Sequence, residues 1–570
     1  MPSKGHLHRR HKGSSSPSSG AKYGISQQRL YDANKSLSKR ARSTACPSLR
    51  FLTIAFISFI CSALLLTAFK REKSPLPGSS KLGSSFSRVQ LPVEETNSQP
   101  YKISTKLLTN QAAYDWAHHL ALSELELNLI TADNRFQAGQ YWDTTWTRDT
   151  SYAAEQAASL LYPDVVRTSL MASVETVQIH TKNDGVQSKQ VWLQDQCAHF
   201  GAWPHLSDSI VGTRGAWSLY RATGDRDFLK WAYVVTKNTL LRAEHEVFDG
   251  QLGLFTGCSS FMESCSGYPR KYCDANRGRP GELVAKTKAL STNALYFSAY
   301  KIAAYMGREL GVDEGEYITY WDSAEMLRHA IRRHLWLDEK GYYAYFMDEN
   351  NKLVDNFEGL GEAFVLLDGI ERNHNRISSI FANVTMGKNG LPCLWPQFDH
   401  THPTDIFHYY HNGRIWPFVQ GYYAMAAAKH GRTDVIAHSL KSLKDLAVEA
   451  KTFAEFYDYE DGSFPLDRRR QLWSSTGYLA MIYQGLFGIT YDVDGLRFSP
   501  NKPVSNFPDD IRLVDFKFRD MILDIVVMGS GSVVTSFAVD GVKREQYKGS
   551  YFLESTIRGK HKITIVVIEG

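Results

Sequence analysis

The chain has 570 residues, of which 43% are hydrophobic and 12% aromatic, a composition that excludes a wholly disordered protein and allows a large buried core. Its net charge is +5, but the first 50 residues carry eleven Lys and Arg against the single acid Asp32, so the rest of the chain is net acidic. A basic tail can bind nucleic acid, but the segment after it indicates a membrane, and we expect no nucleic-acid partner.

That segment is residues 51–69, FLTIAFISFICSALLLTAF, which contain no charged side chain. As a helix they span most of the ~30 Å hydrocarbon core of a bilayer. The basic residues before them place residues 1–50 in the cytoplasm and the rest of the chain across the membrane. The sequence therefore predicts a single-pass type II membrane protein, with its C-terminal domain in the lumen of the endoplasmic reticulum or Golgi or outside the cell. A cleaved, secreted form is the alternative.

Cysteine usage agrees with this location. Cys258, Cys265 and Cys273 lie within sixteen residues, which suits a local disulfide in an oxidising compartment. A zinc site is the alternative, although the sequence has no Cys-x-x-Cys pair. Asn383 begins an Asn-Val-Thr glycosylation sequon. We expect neither a metal ion nor a cofactor.

The composition divides the remainder of the chain into three parts. Residues 70–104 are rich in Ser and Pro and are predicted to be a stem. Residues 105–489 show apolar residues at helical spacing in eleven or twelve segments, among them residues 166–180 and 227–247. Residues 490–570 contain short, alternating, β-branched runs, which predict a small antiparallel β-sandwich. The fold class is thus mainly α, a toroid of helical hairpins followed by a β-sandwich and preceded by a transmembrane helix.

Residues suited to chemistry fall in the loops between these helices, where sites are usually assembled. The first loop contains two tryptophans and three charged residues, the second and third each contain an acid, the fourth is rich in aromatic and amide side chains, and the fifth contains a glutamate between two phenylalanines. The candidates are Trp142, Asp143, Trp146, Arg148 and Asp149; Asp195; Glu263; Tyr410, His411, Asn412 and Trp416; and Glu455.

Some of these candidates have ordinary structural explanations. Asp149 is placed to cap a helix that begins at Thr150. His402, His408 and His411 suggest a metal, but their spacing matches no pair of ligands on one helix. Glu455 is harder to explain in this way, because an unpartnered carboxylate between Phe453 and Phe456 is costly to bury.

Together the loops offer two well-separated acids, several hydrogen-bonding side chains and aromatic platforms for sugar rings. Glycoside hydrolysis needs this combination, with one carboxylic acid that protonates the leaving oxygen and one carboxylate on the opposite side. Hydrophobic surroundings help the acid to keep its proton near neutral pH. The sequence therefore predicts a carbohydrate substrate.

Several of these stretches also resemble known enzymes. YWDTTWTRDTSYA is similar to the Trp-Thr-Arg-Asp loop of glucoamylases, and YHNGRIWPFVQGY resembles a segment of amylo-α-1,6-glucosidases. FAEFYDYEDG resembles the glutamate loop of those enzymes and of processing α-glucosidase I, while GRPGELVAKTKALSTNALY is similar to an element of bacterial six-hairpin glycosidases. The resemblance covers about residues 110–490 and implies an (α/α)6 barrel.

The resemblance also implies roles. Arg148 and Asp149 would hold hydroxyl groups of the sugar, Trp142 and Trp146 would be platforms, and Glu455 would be the base that activates water. Glu263 would be the acid, although its loop is shorter than in the relatives. Further acids held in reserve for that role are Glu282, Glu358, Glu362 and Asp195. Such relatives invert the anomeric configuration, with carboxyl groups about 6.5–9.5 Å apart.

The resulting prediction is an inverting glycosidase that removes a terminal sugar, of α-glucoside type, from a glycan. One alternative is a phosphorylase or lyase on the same scaffold, for which Arg414 and Arg270 are the candidate phosphate ligands. The other is a catalytically inactive carbohydrate-binding protein.

Overall fold

The computed structural model describes residues 103–181, 185–195, 207–274, 279–280, 282–399 and 410–570. The chain divides into two units, Met1–Thr96 and Asn97–Gly570. Every described residue belongs to the second unit. The predicted tail, transmembrane segment and most of the predicted stem therefore lie outside the described residues.

Twelve helices run through the described part of the chain. They are α1 (Ala112–Leu127), α2 (Thr147–Ala153), α3 (Pro163–Ala172), α4 (Asp208–Thr223), α5 (Arg226–Glu246), α6 (Leu290–Leu310), α7 (Glu314–His334), α8 (Gly359–Leu367), α9 (His374–Asn383), α10 (Pro417–Lys429), α11 (Thr433–Ala450) and α12 (Leu472–Ala480). Two of them continue through a wider, π-helical turn: α2 through Ala154–Ala158 to Ser159–Leu161, and α12 through Met481–Leu486.

The even-numbered helices form a closed inner ring, in which each helix contacts the next and α12 contacts α2. The odd-numbered helices return the chain between them, and α1, α3, α5, α7 and α11 pack against the inner helices. The sequence explains the two layers. Every residue from Pro417 to Ala427 of α10 is buried, as expected for an inner helix, whereas α11 buries only one face.

Short strands connect the helices. The pairs are Leu129–Ile130 with Arg135–Phe136, Phe248–Asp249 with Leu254–Phe255, Cys273–Asp274 with Arg279–Pro280, Trp336–Leu337 with Tyr342–Tyr343, Phe357–Glu358 with Leu394–Trp395, and Arg414–Ile415 with Tyr457–Asp458. Lys288–Ala289, Phe346–Met347 and Leu353–Val354 form a three-stranded sheet.

One longer hairpin corrects a helix prediction. Residues 166–180 were predicted to be helical throughout, but α3 ends at Ala172, and Val174–Thr181 is a strand that pairs with Gly185–Trp192. The prediction is wrong for the second half of the segment because it is rich in β-branched residues, Val174, Thr176, Val177 and Ile179, which favour a strand.

The C-terminal region contains eight strands, and β1 (Lys106–Leu108) joins them from the start of the described chain. The others are β2 (Ile489–Asp492), β3 (Gly495–Phe498), β4 (Ile511–Phe518), β5 (Met521–Gly529), β6 (Val533–Val539), β7 (Val542–Lys543), β8 (Tyr551–Glu554) and β9 (Gly559–Ile568). One sheet has the order β1-β4-β5-β9-β6-β7, and the other has the order β2-β3-β8.

The predicted fold class needs two corrections. The β-region is not wholly antiparallel, because β5 and β9 pair in parallel from Met521 and Gly559 onward. The membrane-spanning helix is not supported either: residues 51–69 lie outside the described residues, and no helix among those described has the length and apolar character to cross a bilayer. The membrane contact and the type II location depended on this helix, and the described residues give them no support.

Candidate active site

Eight of the predicted site residues line one pocket, although they come from four separate loops. They are Trp142, Trp146, Arg148, Asp149, Glu263, Tyr410, Trp416 and Glu455, and Trp473 completes the wall. Trp146 and Trp416 precede the first residues of α2 and α10, and Trp473 lies in the first turn of α12. The pocket therefore lies at the N-terminal ends of inner helices, where the helix dipoles favour negative charge.

Glu455 is 2% exposed and is held by three donors. Trp142 Nε1 and the Tyr410 hydroxyl donate to Oε1 at 2.9 and 2.5 Å, and Arg468 donates to Oε2 at 3.1 Å. The pairing of Arg414–Ile415 with Tyr457–Asp458 brings the Tyr410 and Glu455 loops together. Burial raises the pKa of Glu455, while Arg468 and the two other donors oppose that rise.

Glu263 lies in the loop that follows Leu254–Phe255 and is 7% exposed. Arg148 donates to its Oε1 at 3.1 Å. Two features constrain this loop: Phe261 has a left-handed backbone (φ 61°), and Cys265 is disulfide-bonded. Backbone strain of this kind persists only where the surrounding structure enforces it. The acid side chain therefore belongs to a rigid loop.

The start of α2 presents Arg148 and Asp149 to the pocket. Asp195 accepts hydrogen bonds from the backbone N–H groups of Thr147 and Arg148 at 2.7 and 3.0 Å. It therefore caps the start of α2 from a different loop, and it is not part of the pocket wall.

The suggested capping role of Asp149 does not match the structure, because the helix begins at Thr147. Asp149 Oδ1 instead accepts a hydrogen bond from Gln471 Nε2 at 2.8 Å.

The remaining predicted site residues support the pocket from outside or lie away from it. His411 is fully buried, its Nδ1 lies 2.8 Å from the Ser264 hydroxyl, and its ring stacks on Trp416. Burial, with Arg148 nearby, lowers the pKa of His411 well below its usual value. Asn412 is bound to the backbone of Phe398 at both ends of its amide. Asp143 is exposed and does not line the pocket.

The reserve acids also lie outside the pocket wall. Glu358 and Glu362 are fully buried, where Glu358 accepts from Ser259 and the Ser291 N–H, and Glu362 accepts from the Tyr343 N–H. His402 and His408 fall outside the described residues. In the described part of the chain, no group of His, Cys, Asp and Glu side chains has the arrangement of a metal site.

Sequence reasoning missed three residues of this region: Arg468, Gln471 and Trp473. All three lie in DRRRQLWSS, residues 467–475, where consecutive arginines look like a solvated turn. In the structure the Arg468 guanidinium lies 3.5 Å from the centre of the Tyr141 ring, and Trp473 stacks on Phe418. The useful signal was a tryptophan three residues after an arginine run, at the start of a helix.

Comparison with known proteins identifies the family to which this chain belongs. The model of the mannosylglycerate hydrolase MGH1-like glycoside hydrolase domain matches residues 130–474, a range that contains every residue of the pocket wall. A search of curated proteins found no match.

Solved structures with a similar fold include three glycosidases. A sialidase is 15% identical with a TM-score of 0.52, over 73% of this chain and 37% of its own. A GH78 family rhamnosidase of Bacillus sp. GL1 is 12% identical with a TM-score of 0.47, over 75% of this chain and 42% of its own. The chain thus spans less than half the length of these two. A GH63 mannosylglycerate hydrolase from Thermus thermophilus, solved with Tris, is 14% identical with a TM-score of 0.48, over 65% of this chain and 100% of its own.

Proposed function

Because this chain belongs to the mannosylglycerate hydrolase MGH1-like glycoside hydrolase family and is a glycosidase, we propose that it releases one terminal sugar by inverting hydrolysis. The observation that carries the proposal is that two buried carboxyl groups, Glu263 and Glu455, lie on separate loops around one tryptophan-lined pocket. Inversion requires two carboxyl groups, because one protonates the leaving oxygen while the other activates a water molecule.

Glu455 suits the base. Its three donors stabilise the carboxylate, which has to be ionised in order to take a proton from water. The raised pKa that burial gives it also makes it a stronger base than an exposed glutamate.

Glu263 suits the acid, and its contact with Arg148 bears on how it works. A cation beside a carboxyl group favours the ionised form, which cannot donate a proton. Arg148 also lines the pocket, where sugar hydroxyls compete for its donors. In our mechanism, bound sugar draws Arg148 away from Glu263 and leaves the carboxyl group free to hold the proton.

The substrate is a single terminal sugar. The four tryptophans in the pocket wall are suited to the faces of one bound sugar ring. The sequence motifs favour an α-glucoside, and the family description adds mannosylglycerate. We therefore propose a terminal α-glucoside or mannoside. A phosphorylase is disfavoured, because Arg414 pairs with Asp458 at 2.6 Å and Arg270 is exposed.

Substitution of the two carboxyl groups tests the roles. On an aryl-glycoside and mannosylglycerate panel, we expect Glu455→Gln and Glu263→Gln each to lower kcat between about 100-fold and about 10,000-fold. Glu460→Gln, at an exposed acid of the same loop as Glu455, is the control and should retain activity. Glu263→Gln should recover on substrates with an activated aryl leaving group, which needs no protonation, whereas Glu455→Gln should not.

The stereochemistry of the first product separates the possible mechanisms. Proton NMR of the newly released sugar should show the inverted anomer. A retained anomer would exclude Glu455 as the group that activates water. If neither Gln variant loses function while Trp146→Ala abolishes sugar binding, the protein is a carbohydrate-binding protein and the proposal is wrong.

A further inference from the structure

Glu124 is a buried carboxylate that the proposed chemistry does not use. It belongs to the outer helix α1, is 3% exposed and does not line the pocket. Its Oε1 accepts from the Thr452 hydroxyl at 2.6 Å. Its Oε2 accepts from the Phe453 N–H at 2.9 Å and from the Ser475 hydroxyl at 3.3 Å. Both oxygens are thus occupied by groups from other segments.

Two of those donors begin the loop that carries Glu455. The loop leaves α11 through Lys451, which has a left-handed backbone (φ 53°), and reaches Glu455 four residues later. Glu124 therefore fixes the chain immediately before the base. It does so from a helix more than 300 residues away in sequence.

The same contacts extend to the segment that carries Arg468. Thr452 Oγ1 accepts the Arg470 N–H at 3.0 Å, and the Phe453 carbonyl accepts the Gln471 N–H at 3.0 Å. The Glu455 N–H in turn donates to the Arg468 carbonyl at 2.8 Å. Glu124 thus anchors a hydrogen-bond network between two segments of the chain. One segment carries the base Glu455, and the other carries Arg468, which contacts it.

A carboxylate suits this position because its two oxygens accept from the Phe453 N–H and from both hydroxyl groups at once. An amide would turn an N–H₂ end towards these partners, so at least one of the three contacts would be lost or reversed. Burial raises the pKa of Glu124 to about 7, while the Thr452, Phe453 and Ser475 donors and the nearby Arg470 cation oppose that rise.

We propose that Glu124 is a positioning residue for the catalytic base: it holds the Thr452–Phe453 backbone so that Glu455 keeps its contacts with Tyr410, Trp142 and Arg468. The inference rests on the proposed function of Glu455. A misplacement of a catalytic group by about 1 Å can lower the rate about 100-fold, so a remote anchor of this kind has a measurable effect.

Glu124→Gln, compared with Glu362→Gln, tests the proposal. Glu362 is a matched control because it is also a buried glutamate that accepts a backbone N–H, but it binds Tyr343 and neither catalytic loop. We expect Glu124→Gln to lower kcat between about 10-fold and about 100-fold with little change in KM. The acidic limb of the kcat/KM profile should move to higher pH, because Glu455 stays buried, which raises its pKa, while it loses donors that lower that pKa.

Thr452→Val is the second variant if Glu124→Gln does not fold, since it removes one donor and keeps the carboxylate. It should lower kcat about threefold to about 10-fold and move the pH limb in the same direction. Equal kcat and equal pH profiles for Glu124→Gln and Glu362→Gln, or for Thr452→Val and the unsubstituted enzyme, would overturn the inference. Absence of activity in the unsubstituted protein across the panel would instead overturn the proposed function.

Discussion

Arg468 shows how one side chain sets the chemistry of its neighbour. Its guanidinium donates to Glu455 Oε2 at 3.1 Å and packs on the Tyr141 ring, so its position is fixed from two sides. Burial raises the pKa of Glu455, and Arg468 opposes that rise more strongly than any other neighbouring group. The charge of Arg468 therefore extends the range in which the base remains ionised towards lower pH.

Replacement of Arg468 gives a prediction with a definite sign. The base works only when it is ionised, so activity is lost as the pH falls through the pKa of Glu455. Arg468→Met removes the cation, the pKa rises further, and the acidic limb of kcat/KM should move to higher pH. Arg468→Lys should move it less, because it keeps the charge. A profile of Arg468→Met that superimposes on that of the unsubstituted enzyme would contradict the prediction.

The candidate site was predictable where its residues share a local motif. Trp142, Trp146, Arg148 and Asp149 stood out because Trp, Asp and Arg together are unusual for a helix or a core. Asp195 looked equally suitable, but a loop carboxylate that caps a distant helix has the same sequence signature as one that binds a sugar. Arg468 was overlooked for the opposite reason, since an arginine run usually indicates a solvated surface.

Several inner helices are joined by a buried charged cluster, which helical periodicity does not predict. Arg214 of α4 is 3% exposed. It binds Glu155 in the π-helical turn after α2 at 2.7 Å, Asp368 at the end of α8 at 2.6 Å, and Ser298 of α6 at 3.0 Å. Tyr422 of α10 also donates to Glu155. Five of the six inner segments thus contribute to one cluster.

Removal of the cation from this cluster should be costly. Arg214→Met leaves Glu155 and Asp368 without their cation in the barrel interior, which typically destabilises a protein by about 3–5 kcal/mol. Urea unfolding should show a loss of this size. The control is Arg558→Met, an exposed residue that pairs with Asp520, for which we expect a loss below about 1 kcal/mol. Equal losses for the two variants would show that the cluster contributes no more than a surface ion pair.

For the whole molecule, the sequence predicted the architecture better than the topology. Membership of the six-hairpin glycosidase superfamily, which the loop motifs indicated, is confirmed. The helices were predictable because the alternation of inner and outer helices leaves a repeated apolar pattern, as in α5 and α11. The pairing of β1 with β4 joins residues about 400 positions apart, and the parallel pairing of β5 with β9 needs a crossover. Neither leaves a local signal, since the alternation of a strand does not specify its partner.

Arg519 is one of the residues that join the C-terminal strands to the helical barrel. From the turn between β4 and β5, it donates to the Ala222 and Arg221 carbonyls at the C-terminal end of α4 at 3.1 and 3.0 Å, and to the Val493 carbonyl at 2.9 Å. Outer helices return the chain between successive inner helices, so the inner helices run in one direction. The site, which lies at their N-terminal ends, is therefore remote from this contact.

Arg519→Ala should accordingly separate stability from catalysis. The loss of charged hydrogen bonds to three carbonyl groups, two of them at a helix end, should lower the free energy of unfolding by about 2 kcal/mol. The value of kcat/KM at a temperature well below Tm should stay unchanged. Arg512→Ala, at an exposed position on β4, is the control and should alter neither quantity. If Arg519→Ala instead lowered kcat/KM while Tm stayed constant, the sheet would act on the site and not merely support the barrel.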